Sequence, residues 1–158
     1  MTPLAAIESL PLAVALRAPG ALHDVVAIVH LTGVALLVGS VAVLDLRLLG
    51  LSRTIPVRRL AAHVLPWTAA SFLLIVPSGL LMFLARAGEL IGSPLFALKM
   101  MLILAGGTNA ALFHAGTFRG VERWDTQVAP PAAARTAAAV SLVVWLAVLA
   151  CGRLLAKA

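Results

Sequence analysis

An uninterrupted apolar stretch from Val25 to Leu44 constrains this chain more than any other feature. The stretch, VVAIVHLTGVALLVGSVAVL, contains no Lys, Arg, Asp or Glu, and its polar side chains are His30, Thr32 and Ser40. In an α-helix these residues rise roughly 30 Å, which is the thickness of the hydrocarbon core of a bilayer. We therefore predict a membrane-spanning helix.

The rest of the sequence extends this pattern. Hydrophobic residues make up 62% of the chain and charged residues 11%, whereas a soluble domain carries about 25% charged residues. The apolar runs predict four spans, at about residues 24–46, 60–84, 95–118 and 136–155. Before them, apolar side chains at three- and four-residue spacing predict a short interfacial helix over residues 3–17. The expected fold is all-α: an integral membrane four-helix bundle forming a single domain over residues 1–158.

The basic residues set the expected topology. The net charge is +6, but Lys and Arg cluster at the ends of the apolar runs. This distribution is typical of membrane topology and argues against a nucleic-acid partner. Four spans place both termini on one side, and the loops on the other side hold seven of the 12 basic residues. The positive-inside rule therefore places these loops in the cytoplasm and both termini outside.

One ionisable side chain lies well inside a predicted span. His30 is roughly 10 to 12 Å along the first helix from its outer end, and an ionisable residue at membrane depth indicates a functional site. We predict an outer polar pocket around it. The other expected members of this pocket are His23, Lys99, Asn109 and Arg153. The alternative is a structural role, in which His30 forms a hydrogen bond to Asn109 or Thr108 on another helix.

Two further histidines are expected near the inner side. His63 begins the second predicted span and His114 closes the third, so antiparallel helices bring the two imidazoles to similar depth. A b-type haem takes one axial imidazole from each of two helices. The predicted cofactor is therefore haem b, with His63 and His114 as iron ligands and His30 as a further cofactor-binding candidate. The alternative is that both inner histidines are wet interfacial side chains and that no cofactor binds.

The acidic residues and short sequence motifs give little further information about function. All six acids fall at or beyond the predicted span ends, so we expect no buried carboxylate. Asp45 and Arg47 are two residues apart and point to different faces of a helix. We expect them to anchor the helix end, or one of them to meet His63 or His114. The sequence contains no phosphate loop, HExxH or GxSxG motif, which leaves an enzymatic activity open.

Four apolar segments carry a family resemblance. They are HLTGVALLVGSVAVLDLRLLG, LPWTAASFLLIVPSGLLMF, FALKMMLILAGGTNAALFH and SLVVWLAVLACGRLLA. Together they resemble a family of small uncharacterised bacterial four-helix inner-membrane proteins. The resemblance implies a four-helix membrane domain of a bacterial inner membrane and supplies no established activity. In such a membrane, the orientation predicted from the basic residues places both termini in the periplasm. By analogy, the positions of interest are His30, Arg47, Lys99, Asn109, His114 and Arg153. There is a looser resemblance to four-helix b-type cytochromes and copper-resistance membrane proteins.

Three functions are consistent with these observations. The first is a haem-binding, redox-associated membrane protein that uses a bis-histidine site. The second is a non-catalytic membrane subunit or scaffold, which assembles with itself or with a membrane-protein partner through small-residue faces. The third is a small-molecule permease that uses the pocket around His30, Lys99 and Arg153, where two cations suit an anionic ligand.

Overall fold

Seven α-helices and one 3-10 helix form the described part of the chain, which is residues 3–18 and 20–157 of a computed structural model. The long helices are α3 (Ala21–Leu48), α4 (Val57–Ala85), α6 (Pro94–Ala115) and α7 (Ala132–Leu155). The short ones are α1 (Pro3–Glu8), α2 (Pro11–Arg17), α5 (Ala87–Ile91) and the 3-10 helix Thr117–Arg123. None of the described residues forms a β-strand, which confirms the all-α prediction.

The four long helices are each long and apolar enough to cross a membrane. They contain 28, 29, 22 and 24 residues, and their bounds lie within about one helical turn of the predicted spans. Large apolar side chains on their outer surfaces are strongly exposed, including Leu31 at 65%, Leu73 at 77% and Leu104 at 71%. Such surfaces suit lipid rather than water. The chain is a multi-pass membrane protein with four spans.

The long helices pack in the order α4, α3, α7, α6. Helix α3 lies along α4 and also contacts α7, and α7 lies along α6. In the described residues, α4 and α6 make no close backbone contact. The backbones of α4 and α6 are therefore the farthest apart of the four neighbouring pairs, and we call this side of the bundle the open edge.

The two loops that follow α3 and α6 form one compact cap, residues 49–56 and 116–131, which we call the loop-side cap. Arg47, at 2% exposure, holds it together from the end of α3. Its guanidinium donates hydrogen bonds to the carbonyls of Ile55 at 2.7 Å, Arg53 at 3.4 Å and Asp125 at 3.0 Å. The Asp125 carboxylate also accepts from the backbone N–H of Arg58 at 2.8 Å. One buried side chain therefore ties both loops to α3.

The N-terminal segment forms two short helices across the opposite end of the bundle. The expected interfacial helix over residues 3–17 is interrupted before Pro11, because the proline ring disfavours a helical conformation at the preceding residue. Leu16 is 2% exposed, and the Arg17 Nε donates to the Ala85 carbonyl at 3.0 Å. The short N-terminal helices are therefore anchored to the end of α4.

Candidate ligand-binding cavity between the helices

All four long helices line one cavity of about 230 Å³, which we call the interhelical cavity. Helices α3 and α7 form its back wall, and α4 and α6 flank it. The lining is mostly apolar, with the aromatic rings of Phe72, Phe113 and Trp145. Its polar side chains are Asp45, Thr68, Asn109, His114 and Ser141. A mostly apolar cavity with a few convergent polar groups is the usual form of a small-molecule site.

Aromatic and aliphatic side chains pack beyond both ends of the interhelical cavity along the bundle axis. Towards the termini, α4 and α6 meet through Phe83 and Phe96, whose stacked rings have centroids 5.7 Å apart. Towards the loops, Val121 and Trp124 of the loop-side cap belong to one buried core cluster with Leu48 of α3. Between these two regions the backbones of α4 and α6 do not approach each other closely. In a membrane, this open edge faces the hydrocarbon.

Asp45 is the buried charge of this cavity. Its side chain is 5% exposed, and its Oδ2 atom is buried without a hydrogen-bond partner among the described residues. The Ser141 side chain on α7 lies beside the carboxylate and interacts with it. The expectation of no buried carboxylate is therefore wrong. Asp45 does stand near the end of its span, but the loop-side cap covers that end and excludes solvent.

Arg47 does not neutralise Asp45. Residues two apart on a helix face different directions, and here Asp45 faces the cavity while Arg47 donates to the carbonyls of the loop-side cap. Among the described residues, the ion pairs are Arg58 with Glu122 and Arg86 with Glu89. We expected Asp45 and Arg47 to anchor the helix end, and Arg47 does so. Its acceptors are backbone carbonyls of the loop-side cap, which the spacing of residues along the sequence does not reveal.

The two histidines predicted to bind haem occupy different surroundings. His114 lines the interhelical cavity, and its ring stands edge-on to Phe113 and Phe118, with centroids 5.2 and 5.0 Å away. His63 is exposed and is not among the residues that line the cavity, although Val64 beside it is. The structure therefore does not bring His63 and His114 to one space.

His30 makes a hydrogen bond between helices on the side of the termini. Its Nδ1 lies 3.0 Å from the Ser78 hydroxyl of α4, and its ring lies 3.1 Å from where a Cβ on Gly79 would stand. The expected alternative partners, Asn109 and Thr108, are not used. Ser78, which follows Pro77, was not singled out by the sequence reasoning.

The remaining residues of the predicted outer pocket are spread over several places. Asn109 donates from Nδ2 to the Ala137 carbonyl at 2.9 Å and lines the interhelical cavity. Lys99 is half-buried over α7, with its Nζ 3.7 Å from where a Cβ on Gly152 would stand. His23 and Arg153 are exposed, and His23 is hydrogen-bonded through Nδ1 to the Leu16 carbonyl at 2.9 Å.

A family model described as a family of unknown function, DUF6644, matches residues 17–158. The chain belongs to this family. The DUF6644 match covers all four long helices and every residue of the interhelical cavity. It confirms the prediction of an uncharacterised family, whereas the looser resemblances to cytochromes and copper-resistance proteins receive no support. No curated protein and no solved structure matches the chain.

Metal ligands do not cluster in the part of the chain that the structure describes. Over residues 3–18 and 20–157, no three His, Cys, Asp or Glu side chains lie close enough together to hold an ion. The interhelical cavity collects polar side chains from all four long helices, and Asp45, Thr68 and Ser141 are among them. The sequence reasoning passed over Thr68 and Ser141, because lone hydroxyl residues in apolar helices commonly bond to their own backbone.

Proposed function

We propose that this DUF6644 protein binds a small, largely apolar molecule in the interhelical cavity. The proposal rests on one observation: four membrane-spanning helices enclose an apolar space into which a few polar groups converge. Its volume, about 230 Å³, exceeds that of an engineered cavity of about 150 Å³ that takes up benzene. The open edge between α4 and α6 gives such a molecule a route from the lipid.

The three functions predicted from the sequence differ in how well the interhelical cavity fits them. A bis-histidine haem needs two imidazoles facing one space, and the interhelical cavity has only His114 of the predicted pair in its lining. Haem binding therefore stays a prediction, which reduced and oxidised absorption spectra of the purified protein check. The scaffold hypothesis also stays a prediction. The proposed site is closest to the permease hypothesis, but it lies around Asp45 rather than around His30 and Lys99.

Quenching of Trp145 fluorescence tests the proposal, because Trp145 lines the interhelical cavity. The probe is 4-bromobenzyl alcohol, a neutral molecule with one ring and a heavy atom that quenches indole. With protein in a neutral detergent, we expect quenching that saturates and that is lost in Trp145→Phe. Quenching that rises linearly with probe, equally in both proteins, contradicts binding in the cavity.

Gly107→Leu is expected to weaken probe binding about tenfold. Gly107 lines the cavity from α6, and a Cβ there would have no atom within 4 Å, so the new side chain occupies space without disturbing the helix. The matched control is Gly39→Leu on α3, which is equally free of neighbours and lies outside the lining. Equal affinities in the two variants would show that the probe binds elsewhere.

We also propose that the protein lies in a bacterial inner membrane with the loop-side cap in the cytoplasm. The support is the excess of basic residues on that side, seven of the 12. Single cysteines introduced into a Cys151→Ser background test it, at the exposed positions Ser9 and Val128. A membrane-impermeant maleimide should label Ser9→Cys in intact cells and Val128→Cys only after lysis. The reverse pattern overturns the orientation.

A further inference from the structure

We infer that the ligand of the interhelical cavity is an organic cation, a protonated amine on a small apolar body, which pairs with the Asp45 carboxylate. This inference rests on the proposed function, since it names the ligand class of the same cavity. It begins from Asp45 Oδ2, an acceptor buried in the cavity wall without a hydrogen-bond partner among the described residues. A buried carboxylate in apolar surroundings is strongly disfavoured unless a cation or hydrogen-bond donors meet it.

No basic side chain of the surrounding helices supplies that cation. On α3, the Arg47 guanidinium is committed to the carbonyls of the loop-side cap. Helices α4 and α7 contribute no charged residue to the lining, and α6 contributes only His114. The His114 ring packs against the rings of Phe113 and Phe118, and no ion pair joins it to Asp45 among the described residues. Among the described residues the carboxylate thus has no cation beside it, and a bound ligand can supply one.

Two other polar groups of the cavity, on Thr68 and Asn109, can accept hydrogen bonds from an ammonium group, which has three N–H donors and no acceptor. The Thr68 hydroxyl donates its proton to the Val64 carbonyl at 3.0 Å, so its oxygen is left to accept. The Asn109 amide also uses its Nδ2 on a backbone carbonyl, and its Oδ1 is an acceptor. Aromatic rings such as Trp145 add favourable cation–π contacts in a desolvated site.

The dimensions restrict the apolar body to a small one. A cavity of about 230 Å³ accommodates a single aromatic ring with an aminomethyl group, by comparison with the benzene-sized cavity of about 150 Å³. Such a molecule partitions into the membrane, reaches the open edge between α4 and α6, and places its ammonium against Asp45. Anionic molecules are excluded by the same carboxylate.

The experiment compares two probes of nearly equal size on the purified full chain, 4-bromobenzylamine and 4-bromobenzyl alcohol, with Trp145 fluorescence as the readout. We expect the parent to bind the amine about tenfold more tightly than the alcohol. Asp45→Asn keeps the shape of the side chain and removes its charge, so it should abolish the preference for the amine over the alcohol. Asp24→Asn, an exposed acid at the other end of α3, is the matched control and should change neither affinity.

The outcomes separate the inference from the proposed function. If the parent binds both probes equally and Asp45→Asn changes neither, the cation inference is overturned and the cavity remains a binding site. If neither probe gives saturable quenching, the proposed function fails as well. Should Asp45→Asn not fold, Asp45→Glu retains the charge and must keep the preference for the amine. Loss of that preference in a folded Asp45→Glu protein also counts against the inference.

Discussion

Arg47→Met is expected to lower the free energy of unfolding by about 3 kcal/mol or more. The guanidinium is the shared donor to the carbonyls of Ile55, Arg53 and Asp125. Methionine fills a similar volume but donates nothing, so these acceptors lose their bonds beneath the loop-side cap. One Arg47 nitrogen, Nη1, has no partner among the described residues, and its removal offsets part of the loss. Unfolding by a denaturing detergent, followed by far-ultraviolet circular dichroism, measures the change.

Arg58→Met is the matched control for this prediction. Arg58 forms an ion pair with Glu122 at 2.9 Å, and both side chains are largely exposed. An exposed pair contributes about 1 kcal/mol at most, so this variant should remain close to the parent. A loss in Arg47→Met no larger than the loss in Arg58→Met would contradict a stabilising role for the carbonyl contacts of Arg47.

Gly33→Ala is expected to destabilise the protein by about 1 to 3 kcal/mol, and Gly33→Leu by more. At this position α3 and α4 approach closely: an added Cβ would stand 2.8 Å from Ile75 Cγ1 and 2.9 Å from Leu74 Cβ. The backbone nitrogen of Ile75 would be 3.2 Å away, so a side-chain rotation alone cannot relieve the overlap. The helices must separate, and packing along their whole contact weakens.

Gly39→Ala provides the control on the same helix. A Cβ at Gly39 would have no atom within 4 Å, and alanine favours a helix over glycine by about 1 kcal/mol. We therefore expect Gly39→Ala to be neutral or slightly stabilising in the same unfolding experiment. If Gly33→Ala behaves like Gly39→Ala, the close approach of α3 and α4 does not contribute to stability.

Both variants also bear on the interhelical cavity. Arg47 holds the loop-side cap over the end of α3 where Asp45 stands, and Gly33 sets how closely α4 approaches α3. The cavity lies between these two features, so its shape depends on contacts made by residues outside its lining. Ligand binding is therefore expected to be sensitive to substitutions that do not touch the ligand.

The apolar runs were enough to predict the number, length and type of the spanning elements. A segment such as Val25–Leu44 has no way to bury its apolar side chains in a small soluble fold. Within lipid, a helix satisfies its own backbone hydrogen bonds. Length and composition thus sufficed for four spans, and the charges at their ends sufficed to predict an orientation. Depth along each helix was also readable, which is why His30 was correctly placed inside α3.

Which sides of the helices meet could not be predicted in this way, because it depends on how the helices pack. In a soluble helix the apolar face identifies the core, but lipid and protein interior are similarly apolar, so the pattern along a span does not fix its rotation. His63 and His114 are at matching ends of antiparallel helices, yet one is exposed and the other lines the interhelical cavity. From the sequence, Asp45 is expected at the end of a span, where water reaches it. In the structure it is buried, because the loop-side cap covers it and is held in place by bonds from Arg47 to distant backbone carbonyls.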